Sequence, residues 1–228
     1  MTFWLDSAER TEFLSLKDGI EVDVIIIGGG IAGISTAFML KQQRYKVALI
    51  EVNCIVRDIT SGTTAKITFT SSLIYGSILS KFGKSFALKF YKANLDAFNT
   101  IKNILEENNI DCEYRNSPLY LYASNERYFV LIQKEHESLT ELGIDSELVD
   151  DLPSPHNGFG ICHENQAELY PKKYLNFLSH YIDGDGSFIF EKTRVLNVED
   201  IDETDLNNNI AENNKNNKNN KNNKKITL

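Results

Sequence analysis

Gly28, Gly30 and Gly33 stand in the spacing G-x-G-x-x-G, inside the stretch VDVIIIGGGIAGIS from Val22 to Ser35. Each glycine has a separate task in a phosphate-binding turn. Gly28 permits the tight exit from a strand, Gly30 lets the backbone approach a pyrophosphate, and Gly33 lets the following helix pack close to the strand. Phosphates would then rest on N–H groups at the helix N-terminus, where the helix dipole favours anions. Glu51 follows about 20 residues after the turn, where a carboxylate takes a ribose hydroxyl and disfavours a 2′-phosphate.

These residues need a strand–turn–helix–strand frame, and the chain supplies one. Val22 to Ile27 is β-branched apart from Asp23, which suits a parallel strand buried on both faces. Ile31 to Gln43 has apolar residues at helical spacing, and Lys46 to Ile50 reads as a second buried strand. This is one βαβ unit with parallel strands. A polar loop covers Val52 to Thr64. A helix is expected over Lys84 to Glu107, with Phe86, Phe90, Ala93, Ala97, Ile101 and Leu105 as its apolar stripe. DCEYRNSPLYLYAS then reads as two strands around a turn. Glu126 to Leu142 reads as a helix closed by Gly143, and Pro171 opens another that ends near DGDG. GFGICHENQAELY reads as extended, and SFIFEKTRVLNVE as returning strands. From Asp200 the chain becomes an asparagine–lysine repeat with Lys215, Lys218 and Lys221 in period. Such a segment buries too little apolar surface to offset its ordering entropy, so a disordered tail is expected over residues 200–228.

Composition narrows the function. The chain has 228 residues, 42% of them hydrophobic, and a net charge of −8. That acidity gives a nucleic-acid role no electrostatic support. Cys54, Cys112 and Cys162 lie far apart, with no metal-ligand or redox spacing, and read as free thiols. Cys162 and His163 are adjacent rather than spaced as ligands, and His136, His156 and His180 have no partners by sequence. No metal site is expected. The N-terminus lacks the apolar core of a signal peptide, and no run is long enough to span a bilayer, so a soluble cytoplasmic protein is expected.

The turn alone leaves FAD and NAD open. An NAD domain would continue with further βα repeats, whereas this chain enters the polar loop RDITSGTTAKIT. Taken in order, WLD, VDVIIIGGGIAGISTAFML, TTAKIT, LIY, FGK, YPKKYL and GDGSFIFEKTRV resemble FAD-dependent oxidoreductases of the D-amino-acid oxidase superfamily. The nearest likeness is to the N-terminal half of the bacterial branch that carries a C-terminal Rieske domain. It covers about Trp4 to Glu199. The resemblance implies that backbone at Gly28, Gly30, Ile31, Ala32 and Gly33 holds the pyrophosphate, and that Glu51 binds the adenosine ribose. It implies that Thr63, Thr64, Ala65 and Lys66 line the pyrophosphate and flavin ring, and that Val195 pairs with adenine through its backbone. From the residues alone, Thr63 or Thr64 could equally cap a helix. The chain departs from the family in the loop Asp58 to Gly62, where two glycines are replaced and Asp58 adds a negative charge.

The expected fold is therefore α/β: a Rossmann-like FAD-binding domain in two parts, residues 1–107 and 169–199, around a small α+β insertion at 108–168. The resemblance implies oxidation of a C–N bond in an amine or amino acid, in a chain corresponding to a truncated N-terminal half. The alternatives are a non-catalytic FAD-binding remnant and an NAD-binding or scaffold protein without turnover. No catalytic acid or base is assigned.

Overall fold

The β-branched run after Asp23 forms β1 (Val24–Ile27) in a computed structural model that describes residues 11–57 and 63–200, and the backbone of 224–227. It is followed by α1 (Ile31–Gln42), β2 (Val47–Ile50), β3 (Lys66–Ile67) and α2 (Tyr75–Asn108). Next come β4 (Arg115–Asn116), β5 (Leu119–Ala123), a 3-10 turn at Glu126–Tyr128, α3 (Phe129–Leu142) and β6 (Glu147–Val149). β7 (Phe159–His163), β8 (Ala167–Glu168), α4 (Pro171–Ile182), β9 (Phe188–Phe190), β10 (Asn197–Asp200) and β11 (Lys224–Thr227) complete the order. Two units result: Met1–Gly62 with Leu175–Leu228, and Thr63–Tyr174.

In the first unit β1, β2 and β9 make a parallel sheet in the order β1-β2-β9, with Val24 opposite Val47 and Ala48 opposite Phe188. The central strand β2 is wholly buried, as its unbroken apolar run requires. Asp23 interrupts the apolar run for a reason: its carboxylate accepts the Lys46 N–H at 2.7 Å and pins the start of the β1–β2 pair. Ile34, Ala37 and Phe38 form the buried stripe of α1, and Phe38 meets the Tyr181 ring at 4.8 Å. Lys41 Nζ donates to the carbonyls of Ile182 and Gly184, binding the end of α1 to the end of α4. Arg44 closes α1 in the left-handed region, at φ 68, where a helix-ending glycine is commoner.

The tail expected over 200–228 falls, from 201 to 223, outside the described residues. At its ends the backbone pairs: β10 and β11 run antiparallel, with Asn197 opposite Thr227 and Asp200 opposite Lys224.

The second unit takes in the whole of α2, which the boundaries 1–107 and 108–168 divide from its surroundings. The reason is packing: Tyr75 and Ala87 of α2 share one core with Ile132, Leu139 and Leu142 of α3 and with Ile144 and Ile161. α2 is broken at Gly83 (φ 78, ψ 169), so the expected helix from Lys84 is its second part, and Tyr75–Phe82 is a helical stretch the periodicity did not show. The apolar face is also rotated from the expected stripe. Ala87, Phe98 and Leu105 are buried, whereas Phe86 is 48% exposed and lies against Phe82 with the rings tilted and their centroids 5.0 Å apart. Small Ala87 lets the helix approach its neighbour, where Phe86 would hold it away. Glu135 of α3, itself buried, caps α2 by accepting the N–H groups of Tyr75 (2.7 Å) and Gly76 (2.9 Å). Burial, with Glu135 nearby, pushes the Tyr75 phenol well up.

The two strands read from DCEYRNSPLYLYAS are present as β4 and β5, but they do not form a hairpin. β4 joins the antiparallel sheet β3-β8-β4, and β5 joins β5-β7-β6. Ser117 N–H donates to Gln166 O between the two, and Pro118 separates the strands. Gly143 closes α3 with φ 71, as expected. All three cysteines are free; Cys112 and Cys162 are buried, and burial pushes the Cys112 thiol up to about 11.

Each histidine has a local partner that spacing could not show. Nδ1 of His136 lies 2.8 Å from Ser146 Oγ, that of His156 2.7 Å from the Tyr122 hydroxyl, and that of His180 2.7 Å from Asn176 O. His163 is 2% exposed, with Nδ1 3.2 Å from Asp145 O. Burial lowers its pKa from 6.5, so the fold holds the ring neutral. A folded pKa below the unfolded one gives stability that is complete above pH 6.5 and lost as pH falls below it. Urea midpoints measured from pH 7.5 to 5 should therefore fall on the acid side, and His163→Gln should flatten that fall.

Candidate dinucleotide site

The site is built where β1 and β2 end. Gly28 leaves β1 with φ 110, a conformation side chains rarely adopt, while its N–H still donates to Ile50 O at 2.9 Å. Gly33, in the first turn of α1, faces back on this bend. A Cβ there would lie 1.9 Å from the Gly28 carbonyl oxygen, so no larger residue fits. Gly30 is the N-cap of α1, with extended backbone (φ −84, ψ −176), and Ile34 N–H is bonded to its carbonyl at 3.0 Å. Among the described residues, the N–H groups of Gly30, Ala32 and Gly33 take no hydrogen-bond partner. Helix ends leave such donors for an outside acceptor.

Glu51 caps this arrangement from the end of β2. Its Oε2 accepts the Gly29 N–H at 2.7 Å and its Oε1 accepts the Asn53 N–H at 2.8 Å. A carboxylate offers about four lone-pair sites, so each oxygen keeps capacity for a further donor. Beside Glu51 lies a half-open cavity of about 150 Å³ bounded by Ile27, Gly28, Val52, Arg194 and Val195. Val195 sits between β9 and β10, half-buried, and among the described residues neither its N–H nor its C=O is hydrogen-bonded. Gly28, Gly30, Ala32, Gly33, Glu51 and Val195 thus share the first unit, with Ile31 52% exposed at the head of α1.

Thr63, Thr64, Ala65 and Lys66 belong to the second unit. They cap no helix. Thr63 Oγ1 accepts the Ala65 N–H at 3.4 Å, Ala65 is buried with φ 66, and Lys66 stands exposed in β3 opposite Glu168. Past Lys66, the Thr68 and Thr70 hydroxyls are buried and take no hydrogen-bond partner among the described residues. The loop Asp58 to Gly62 lies outside the described residues.

Three contributors escaped the reading of spacing. Gly29, an unspecified position of the pattern, is buried, and a Cβ there would stand 2.6 Å from Ile55 Cγ2 and 3.0 Å from Glu51 Cβ. Only the run of three glycines hinted at it. Glu191, in FEKTRV, is 2% exposed and accepts the N–H groups of Ile55 (2.8 Å) and Phe13 (3.2 Å). It ties the segment after β2, which packs over Gly29, to the N-terminal stretch. Arg194 adds a cation at the cavity rim.

The matching family model, described as FAD dependent oxidoreductase (DAO), spans residues 23–218. The chain belongs to this family. It is 39% identical over 199 residues to YhfW of Bacillus subtilis (strain 168), named as a Rieske 2Fe-2S iron-sulfur protein; the match covers 87% of this chain and 39% of that one. Among solved structures it is similar to glycine oxidase from Bacillus cereus ATCC 14579 (TM-score 0.62, 19% identity, 80% of this chain and 50% of that chain). It is also similar to L-amino acid deaminase from Proteus myxofaciens (TM-score 0.61, 19% identity, 85% and 43%). The chain therefore spans half or less of the proteins it matches here. No helix among the described residues is long and apolar enough to cross a membrane.

Replacing Glu191 by alanine orphans two N–H groups and should lower the unfolding free energy by about 1–3 kcal/mol for each that stays buried. Glu191→Gln, which keeps an acceptor oxygen, should lose less, as read by urea denaturation.

Proposed function

We propose that this chain binds FAD, with the pyrophosphate on the Gly28–Gly33 turn, the adenosine ribose at Glu51 and adenine against the Val195 backbone. The observation that carries the reading is the set of N–H groups of Gly30, Ala32 and Gly33, which take no partner among the described residues, beside a cavity that Glu51 and Val195 also border. Anion donors, a ribose acceptor and a free backbone edge are what the adenosine diphosphate half of FAD requires. In the second unit, Thr63, Thr64, Ala65 and Lys66 are the residues we assign to the flavin side. The Thr68 and Thr70 hydroxyls there retain hydrogen-bonding capacity. Bound flavin would supply hydride acceptance, and the protein would supply orientation and electrostatics.

The backbone at Gly30 is extended and open to any residue. Gly30→Val should therefore keep its circular dichroism and melting curve while losing FAD, because the new side chain occupies the path of the pyrophosphate. Equal FAD retention by wild type and variant in equilibrium dialysis would place the cofactor elsewhere. Glu51→Ala should weaken binding by about 1–3 kcal/mol through the lost charged hydrogen bond.

For the reaction we propose oxidation of a C–N bond in a small amine or amino acid, by a cytoplasmic protein corresponding to the N-terminal half of such an enzyme. The amino-acid oxidase and deaminase names of the similar structures support that substrate class. The alternative outcome is FAD binding without turnover. Anaerobic bleaching against a panel of amino acids and amines separates them. Saturable bleaching well above a free-FAD control establishes oxidation, and retained FAD that bleaches at the free rate establishes binding alone.

A further inference from the structure

We propose that the outer face of α2, around its break at Gly83, docks on an anionic lipid bilayer. Phe82 and Phe86 enter the headgroup layer there, and lysines beside them meet the lipid phosphates. The proposal goes beyond the FAD reading and does not rest on it. It needs no membrane-spanning helix, because a helix with an apolar side flanked by lysine binds in the plane of the interface.

Charge is segregated along the chain. Acidic residues outnumber Lys and Arg by 32 to 24. Yet between Asp58 and Asp96 the sequence carries Lys66, Lys81, Lys84, Lys89 and Lys92 and no acidic residue. All but Lys66 lie on α2. Asp96 offsets Lys92 at 3.8 Å, one turn on. Lys84 Nζ donates to Glu141 O at 2.7 Å, which ties the break in α2 to the end of α3. Lys81 and Lys89 are exposed, and among the described residues neither enters an ion pair. The acidity of the whole chain does not cancel this patch, because salt screens exposed charges beyond about 8–10 Å.

The same face is apolar. Every residue from Ser80 to Phe86 is exposed. Phe82 is 62% exposed, and its ring lies against that of Phe86 with centroids 5.0 Å apart. The two rings come from either side of the break, where Gly83 takes φ 78. Ala93 and Ala97 follow Phe86 at helical spacing, and both are exposed. The outward stripe is thus Phe86, Ala93 and Ala97, while Ala87 and Phe98 face inward. An exposed aromatic pair rimmed by lysine marks an interaction surface.

The kind of lysine-rich rim selects the partner. No arginine lies between Arg57 and Arg115. Protein interfaces are enriched in arginine and depleted in lysine. Single-stranded nucleic acid is held by bases stacked on aromatic rings with arginine beside them. Phe82 and Phe86 lie against each other instead, which leaves no slot for a base between them. An anionic bilayer attracts lysine near its phosphates and takes apolar side chains at the acyl boundary.

The test is co-sedimentation of the full chain with vesicles of phosphatidylglycerol and phosphatidylcholine in equal parts, and with vesicles of phosphatidylcholine alone. Two double variants probe the two halves of the surface: Lys81→Glu with Lys89→Glu, and Phe82→Ser with Phe86→Ser. All four side chains are exposed, so far-UV circular dichroism should match the wild type. Phe82, the more exposed ring, is also replaced alone, in case loss of both rings disturbs the fold. The wild-type chain should bind the mixed vesicles and release them as ionic strength rises. Binding should weaken about tenfold or more on phosphatidylcholine alone and in each folded double variant, and measurably in Phe82→Ser. No binding to the mixed vesicles, or equal binding by a folded variant, would overturn the proposal. Tighter binding to single-stranded poly(U) than to the vesicles, lost in the same variants, would overturn it by making nucleic acid the partner.

Discussion

One carboxylate holds the glycine turn in shape. Glu51 ends the most buried strand of the first sheet, and its two oxygens take the N–H groups of Gly29 and Asn53. Gly29 is buried, so its donor has no water to fall back on, and a charged acceptor is the stronger remedy. The turn can then rise from β1 and enter α1 with Gly33 against the Gly28 carbonyl, a contact that leaves no room for a side chain. Glu191 repeats the device one strand away, at the end of β9, where it fixes the strand-to-loop segment that lies over Gly29. Two acidic side chains, both at strand ends, thus organise backbone that no regular hydrogen-bond ladder reaches.

The residues differ in how far they could be read from the chain. The β1–α1–β2 unit was legible because its signals are local: a β-branched run, three glycines, a helical stripe and a second run. Glu51 was legible because its distance from the turn is set by one helix and one strand. Gly29 was not, since its constraint comes from Ile55, packed over it by a hydrogen bond to Glu191, more than 130 residues further on. Val195 entered by resemblance alone: its residue type carries no signal, and its backbone takes no hydrogen-bond partner among the described residues.

The second unit shows where periodicity misleads. A stripe through Phe86 has the right spacing, yet the helix turns Ala87 inward, because the approach of α3 rewards a small residue more than a large one. The strands flanking Pro118 were visible as strands, but which sheet each joins is decided by β7 and β8, far along the chain. Spacing reads faces and elements; pairing partners with long sequence separation lie beyond it.

The placement of the three thiols has a practical meaning. Cys112 and Cys162 are enclosed, and Cys112 resists ionisation, whereas Cys54 is half-buried in the segment between Glu51 and Ile55. Its neighbours on both sides are anchored: Asn53 O accepts the Lys192 N–H, and Ile55 N–H is held by Glu191. A thiol-directed fluorophore or spin label would therefore react first at Cys54. It would report from a rigid point beside the glycine turn, giving the unaltered sequence a built-in spectroscopic reporter.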